Sequence, residues 1–180
     1  MDQNVIYVGI DVDDVRYHGS ALDKRTGEGL DFHCRPTLKG LAQELEKVHQ
    51  YFGGADLKLC YEASYVGFSL QRDLQGRGYH CEVVAPSSIP RRGGKSVKTD
   101  RIDATELAEF YANDWLTVVA TPEAQTEQDR DLLRSRQQLM QLQGSLRRHI
   151  QSLLRRNGFH YKAETQRKTH WQTHHYGWLE

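Results

Sequence analysis

The chain opens on an apolar, β-branched run, "VIYVGIDV" (5–12), with an acid at its end. A short continuous run of this kind predicts a buried strand. Asp13 and Asp14 then predict a turn, and the alternation in "VRYHGSALD" (15–23) predicts a hairpin partner. A second turn at "KRTGEG" (24–29) precedes a third strand at "LDFHC" (30–34). The period changes after that. Leu38, Leu41, Leu45 and Val48 recur at helical spacing behind Thr37, a residue suited to an N-cap, and the run stops at "FGG" (52–54). "LKLCYEA" (57–63) predicts a fourth strand, and Val66, Leu70 and Leu74 a second helix closed by "GRG" (76–78). "HCEVVAP" (80–86) predicts a fifth strand, and the loop "SSIPRRGGKSVK" (87–98) leads into a third helix from about Asp100 to Asn113.

The predicted order is a β-meander followed by strand–helix–strand units, which points to the α/β class: a mixed sheet flanked by helices. Right-handed crossovers bring parallel strands together, so the first and fourth strands become neighbours. From about Glu123 to Asn157 the pattern is that of one long helix. Leu132, Leu139, Leu146 and Leu153 recur every seven residues, joined by Leu142 and Ile150. Such a heptad stripe fits a coiled coil, and a helix packed back on its own domain is the alternative.

Composition sharpens this picture in one respect. With 38% hydrophobic and 27% charged residues, the 180-residue chain has the balance of a soluble globular protein. No apolar run approaches the roughly 20 residues that span a bilayer. Cys34, Cys60 and Cys81 are widely spaced and without metal spacing, so reduced thiols and a cytoplasmic location are expected. The net charge of zero conceals an asymmetry: residues 1–131 hold 15 Lys/Arg against 22 Asp/Glu, and residues 132–180 hold 9 against 2. No acid lies between Leu132 and Ala163. Arg134, Arg136, Arg147, Arg148, Arg155 and Arg156 therefore make an unbalanced basic face, which can track nucleic-acid phosphates independently of sequence.

Four carboxylates stand out by position: Asp11 at the end of the first strand, Glu62 at the end of the fourth, and Asp100 and Asp103 at the start of the third helix. Spacing of three places the last two on one helix face. Mg²⁺ and Mn²⁺ take oxygen ligands and leave positions for water and substrate phosphate. Two such ions about 3.5–4 Å apart stabilise both oxygens of a phosphodiester displacement. Clustered acids otherwise repel, and a metal resolves the conflict. The alternative is structural: Asp100 caps the helix and Asp103 complements its dipole. Asp13 and Asp14 read as turn residues. The neighbouring Arg91, Arg92, Lys95, Lys98 and Arg101 form a solvated basic loop that can also grip phosphates.

"YVGIDV", "YEAS", "VVAPSSIPRR" and "VKTDRIDATELA" stand in the order and spacing of the DEDD transposases of the insertion-sequence-110 type, which include the Piv-like DNA invertases. "RDLLRSRQQL" and "LLRRNG" also resemble that family, so the resemblance covers nearly the whole chain. It implies an RNase H-like amino-terminal domain similar to the RuvC Holliday-junction resolvase. It assigns Asp11, Glu62, Asp100 and Asp103 as the metal-binding catalytic tetrad, with DNA as substrate. Ile102 departs from the basic residue common at its position. A structured non-coding guide RNA is an implied second ligand.

The family continues into a second domain carrying a serine implicated in strand exchange. The expected organisation here is therefore a RuvC-like domain over 1–122, a long basic heptad helix over 123–157, and a connector over 158–180 leading to that absent domain. The tail residues His160, His170, His174, His175, Trp171 and Trp178 are expected to pack against it. A zinc site is disfavoured, since no Cys or paired acid completes one. Three functions compete. The first is a Mg²⁺-dependent DNA-processing part of a transposase or recombinase, homodimeric or larger through the long helix. The second is a non-catalytic dimerisation and nucleic-acid-binding module. The third, a nucleotide-binding kinase-like protein suggested by "GIDV", is disfavoured because "DVDDVRYHG" lacks the small and hydroxyl residues a phosphate loop needs.

Overall fold

The computed structural model describes residues 4–89 and 100–180. Five strands form one sheet: β1 (Val5–Asp11), β2 (Tyr17–Asp23), β3 (Gly29–Cys34), β4 (Asp56–Glu62) and β5 (His80–Val84), in the order β3-β2-β1-β4-β5. The meander pairs antiparallel, whereas β1–β4 and β4–β5 are parallel. This is the mixed sheet flanked by helices expected from the sequence, with β1 and β4 adjacent in it. Parallel strands at the centre must be covered on both faces, which explains their near-continuous apolar runs.

Alternation along β1 divides the two faces. Ile6, Val8 and Ile10 point into the larger core, where they meet Leu41, Leu45 and Val48 of α1 (Leu38–Tyr51) and Leu70 and Leu74 of α2 (Ser69–Gln75). Each fully buried aliphatic side chain contributes about 1.5–3 kcal/mol. Thr37 caps α1 as expected, its hydroxyl accepting from the Gly40 amide at 3.1 Å.

Tyr7, Gly9 and Asp11 point to the opposite face, which α3 (Asp100–Ala112) covers. Cys60, Val84, Leu107 and Tyr111 make the core of that side, with Tyr7 packed edge-on against Tyr111 at 5.6 Å between ring centroids. The Tyr111 hydroxyl donates to Glu82 at 2.7 Å, and burial followed by this carboxylate holds its pKa above the ordinary phenol value. All three cysteines are free and buried, as reduced thiols should be, and burial pushes Cys34 up to about 11 and Cys81 up to about 12.

Beyond α3 the chain returns to the sheet. Val118 bridges Val84 antiparallel, the Ala85 amide donates to Thr117 O at 2.9 Å, and the Val119 amide donates to Val83 O at 2.8 Å. The β5 edge is thereby covered. The sequence pattern does not reveal this pairing, because it involves too few residues to show a period.

Residues up to Pro122 form one compact unit and Glu123–Glu180 a second. The second contains the long helix α4 (Ala124–Arg156) and two short ones, α5 (Tyr161–Thr165) and α6 (Thr173–Leu179). No residue of α4 is buried, and Leu132, Leu139, Leu146 and Leu153 are each more than half exposed. The aromatic residues of the tail pack on one another: Tyr161 lies 4.6 Å from His175 and 5.3 Å from Trp178, ring centre to ring centre. Arg147 of α4 sits over the Trp171 ring at 5.4 Å.

The contact between α3 and β1 depends on Gly9. A Cβ there would overlap the Ala104 carbonyl oxygen and lie 2.5 Å from Ala108 N and 2.7 Å from Leu107 Cβ. Two of these three are backbone atoms, so relief requires the helix itself to move. Gly9→Ala is expected to lower stability by about 3 kcal/mol, read as the shift in urea midpoint at unchanged slope.

Candidate metal and nucleic-acid site

The β1–β4 pairing runs in register from Val5↔Asp56 to Ile10↔Tyr61, which brings Asp11 and Glu62 level at the carboxyl end of the sheet. Neighbouring strands lie about 4.8 Å apart. Both residues share the parity of Gly9 and Cys60, so both belong to the face that α3 covers. Asp103 lies in the first turn of α3, one residue before Ala104, the residue whose carbonyl abuts Gly9. Asp100 is the first residue of the helix. The structure thus brings Asp11 and Glu62 level on adjacent strands and places Asp103 in the helix turn next to the one that rests on β1. The positive N-terminus of α3 favours acids in its first turn whether or not a cation is bound.

Asp11 and Asp103 are half-buried and Glu62 is exposed. Neither Asp11 nor Asp103 is without a partner in the fold. The Asp100 side chain lies outside the described residues. Among the described residues no three His, Cys, Asp or Glu side chains are grouped closely enough to hold a metal ion.

The surroundings contain groups that the sequence pattern did not expose. Asp13 is a turn residue as predicted, its Oδ1 accepting from the Val15 amide at 2.9 Å. Asp14 instead accepts from the hydroxyl of Tyr65, in the loop after β4. Desolvation of that hydroxyl and its bond to Asp14 push Tyr65 up to about 12. His18 pairs directly with Asp11 across β1 and β2, and its ring lies 6.2 Å from that of His33 on β3. The available signal for Gly9 was a glycine inside an apolar strand, which marks a close backbone approach. Tyr65 and His18 give no such signal, since their roles depend on strand register.

The candidate phosphate-binding residues divide into two groups. Arg91, Arg92, Lys95 and Lys98, and the side chain of Arg101, lie outside the described residues. On α4, Arg134, Arg148 and Arg155 fall on one face by helical spacing, while Arg156 follows Arg155 at the last turn. Arg134 makes an exposed ion pair with Asp131 at 3.5 Å, which is too weak to withdraw it from a phosphate. Arg147 lies off this face and is engaged with Trp171.

Glu62 is exposed, so Glu62→Gln is expected to change metal-free stability by less than about 0.5 kcal/mol, read by thermal unfolding. A rise in Tm with added Mg²⁺ that is present in the wild type and smaller in the variant would place a cation at this carboxylate.

A family model described as "Transposase", that of the insertion-sequence-110 DEDD type, matches residues 8–158. The predicted transposase y4qE of Sinorhizobium fredii is 33% identical over 93% of this chain and 38% of its own length. The transposase for insertion sequence element IS1533 of Leptospira borgpetersenii is 29% identical over 97% of this chain and 49% of its own. The chain thus spans less than half the length of these curated relatives. Among solved structures, the large terminase nuclease from thermophilic phage G20c is similar over 58% of this chain and 81% of that one, at 14% identity and a TM-score of 0.39.

Proposed function

We propose that this chain, which belongs to the insertion-sequence-110 family of DEDD transposases, carries the metal-dependent DNA-cleaving site of its transposition reaction and works in the cytoplasm. Asp11, Glu62, Asp100 and Asp103 hold Mg²⁺ or Mn²⁺. The observation that carries this reading is the level placement of Asp11 and Glu62 on the α3 face, with Asp103 in the helix turn that Gly9 admits. A bound divalent ion supplies Lewis-acid stabilisation of the oxygens exchanged at phosphorus. The protein's own part is to orient. Two adjacent parallel strands and the start of a helix fix the carboxylates on rigid elements, so little reorganisation is needed when phosphate arrives.

Arg91, Arg92, Lys95, Lys98 and Arg101 precede or open α3 and grip the DNA backbone beside the carboxylates. Arg134, Arg147, Arg148, Arg155 and Arg156 extend the contact along α4, on DNA or on a structured guide RNA. Calorimetric titration with Mg²⁺ and Mn²⁺, paired with nicking of a branched DNA, tests the assignment. Asp11→Ala and Asp103→Ala are each expected to weaken metal binding at least tenfold and to abolish nicking. Undiminished metal binding in both variants would remove them from the site.

A second reading is favoured by the exposed heptad stripe. In it, α4 joins two or more copies through Leu132, Leu139, Leu146 and Leu153, and cleavage depends on the assembly. Leu146→Asp is expected to convert a dimer or larger species to monomer in sedimentation equilibrium. A wild type that sediments as a monomer at every concentration would exclude this role for the stripe.

A further inference from the structure

Beside the last turns of α4, the second unit holds a cavity of about 240 Å³ that the function proposed above leaves unused. Its wall is divided by chemistry. Phe159 and Trp178 supply aromatic surface, meeting edge-to-face at 6.4 Å between centroids, over the buried ring of Tyr161. Arg155 and Lys162 supply positive charge, and His170 a further ring nitrogen.

His175 also lines the cavity and is fully buried. The Trp171 amide donates to its Nδ1 at 3.2 Å, which leaves the ring proton on Nε2. That Nε2–H is a buried donor with no acceptor among the described residues. The carboxylate nearby is already committed: Glu164 accepts from the His160 amide at 2.6 Å through Oε1 and from the Trp178 indole N–H at 3.0 Å through Oε2. An acceptor for this donor comes from whatever occupies the cavity, water or a ligand. Burial lowers both His170 and His175, and for His170 the neighbouring His175, Lys162 and Arg155 add to the effect, so both rings are neutral donors at pH 7.

A ligand that satisfies such a wall has a planar apolar face, several acceptors and a negative group at one edge. A nucleotide has all three. Arg155 belongs both to the basic face of α4 and to the cavity wall, so a strand following that face arrives at the opening. We infer that the cavity receives one unpaired nucleotide of a bound strand, its base against Phe159 and Trp178 and its phosphate toward Arg155 and Lys162. The inference rests on the reading of α4 as a nucleic-acid-binding helix. Base–aromatic stacking tolerates any sequence, so the site reads strandedness and not bases. A base inside a duplex is already stacked and paired, and it cannot enter without extrusion.

The test is fluorescence anisotropy of end-labelled oligoadenylate RNA, the matching DNA strand, and a DNA duplex of equal length. It is run on the full chain as wild type, Lys162→Ala, Trp178→Leu and Arg148→Ala, with circular dichroism confirming the helices of each. Lys162→Ala and Trp178→Leu should each weaken single-strand binding by about tenfold and leave duplex binding unchanged. Arg148→Ala, on α4 outside the cavity, should weaken all three probes. Equal losses for RNA and DNA would support recognition through base and phosphate, and a loss confined to RNA would support it with the ribose hydroxyl added. Single-strand affinities unchanged in both cavity variants would overturn the inference and leave the α4 reading standing. Parallel losses on strand and duplex would also overturn it, making the cavity a brace for α4. A wild type that binds none of the probes would overturn the inference together with the α4 reading.

Discussion

The first unit is organised around a contact of backbone on backbone: α3 lies directly on β1 where Gly9 has no side chain to keep it away. Helices ordinarily stand off a sheet by the depth of their side chains. Here the Ala104 and Ala108 positions come down to the strand, and Asp103, adjacent in the helix, comes down with them to the level of the strand ends. The small residues Gly9, Ala104 and Ala108 are thus as much a part of the site as the acids. They set how far Asp103 stands from the strand ends that carry Asp11 and Glu62.

Much of this was legible in the sequence because it is written with a short period. The alternating meander, the apolar run ending in Asp11, the heptads of α4 and the Thr37 cap all emerge within a few residues of where the pattern places them. The convergence of Asp11, Glu62 and the start of α3 needed only a right-handed crossover and adjacent parallel strands. What stayed hidden depends on register and on contacts distant in sequence. That Tyr65 meets Asp14, or that His18 faces Asp11, follows from strand pairing and leaves no trace in the local pattern. The tail is a similar case. Its histidines and tryptophans were expected to pack against a further domain, and within the chain they already pack on one another, with His175 as the buried centre of a small core.

The charge asymmetry separates two tasks. The first unit carries the excess of acids. On α4 of the second unit, Arg134, Arg148, Arg155 and Arg156 lie on a different face from the leucine stripe, while Arg147 lies off that face against Trp171. Helical spacing holds the main basic stripe and the apolar stripe apart. The long arginine side chains also shield part of the helix backbone with their aliphatic stems.

The far end of α3 is fastened twice. Lys24, just past the end of β2, donates to the Ala112 carbonyl at 2.5 Å, and the chain that follows is hydrogen-bonded to the β5 edge through Ala85 and Val119. With a rise of 1.5 Å per residue, Asp103 stands about 13 Å from that anchor. A tilt of a few degrees at Ala112 would move it by a good fraction of an ångström, but Ala104 and Ala108 rest on β1 and block the swing. Held near both ends, α3 behaves as a beam and not as a lever, and the height of Asp103 above the strand ends is fixed by the fold before any ligand arrives.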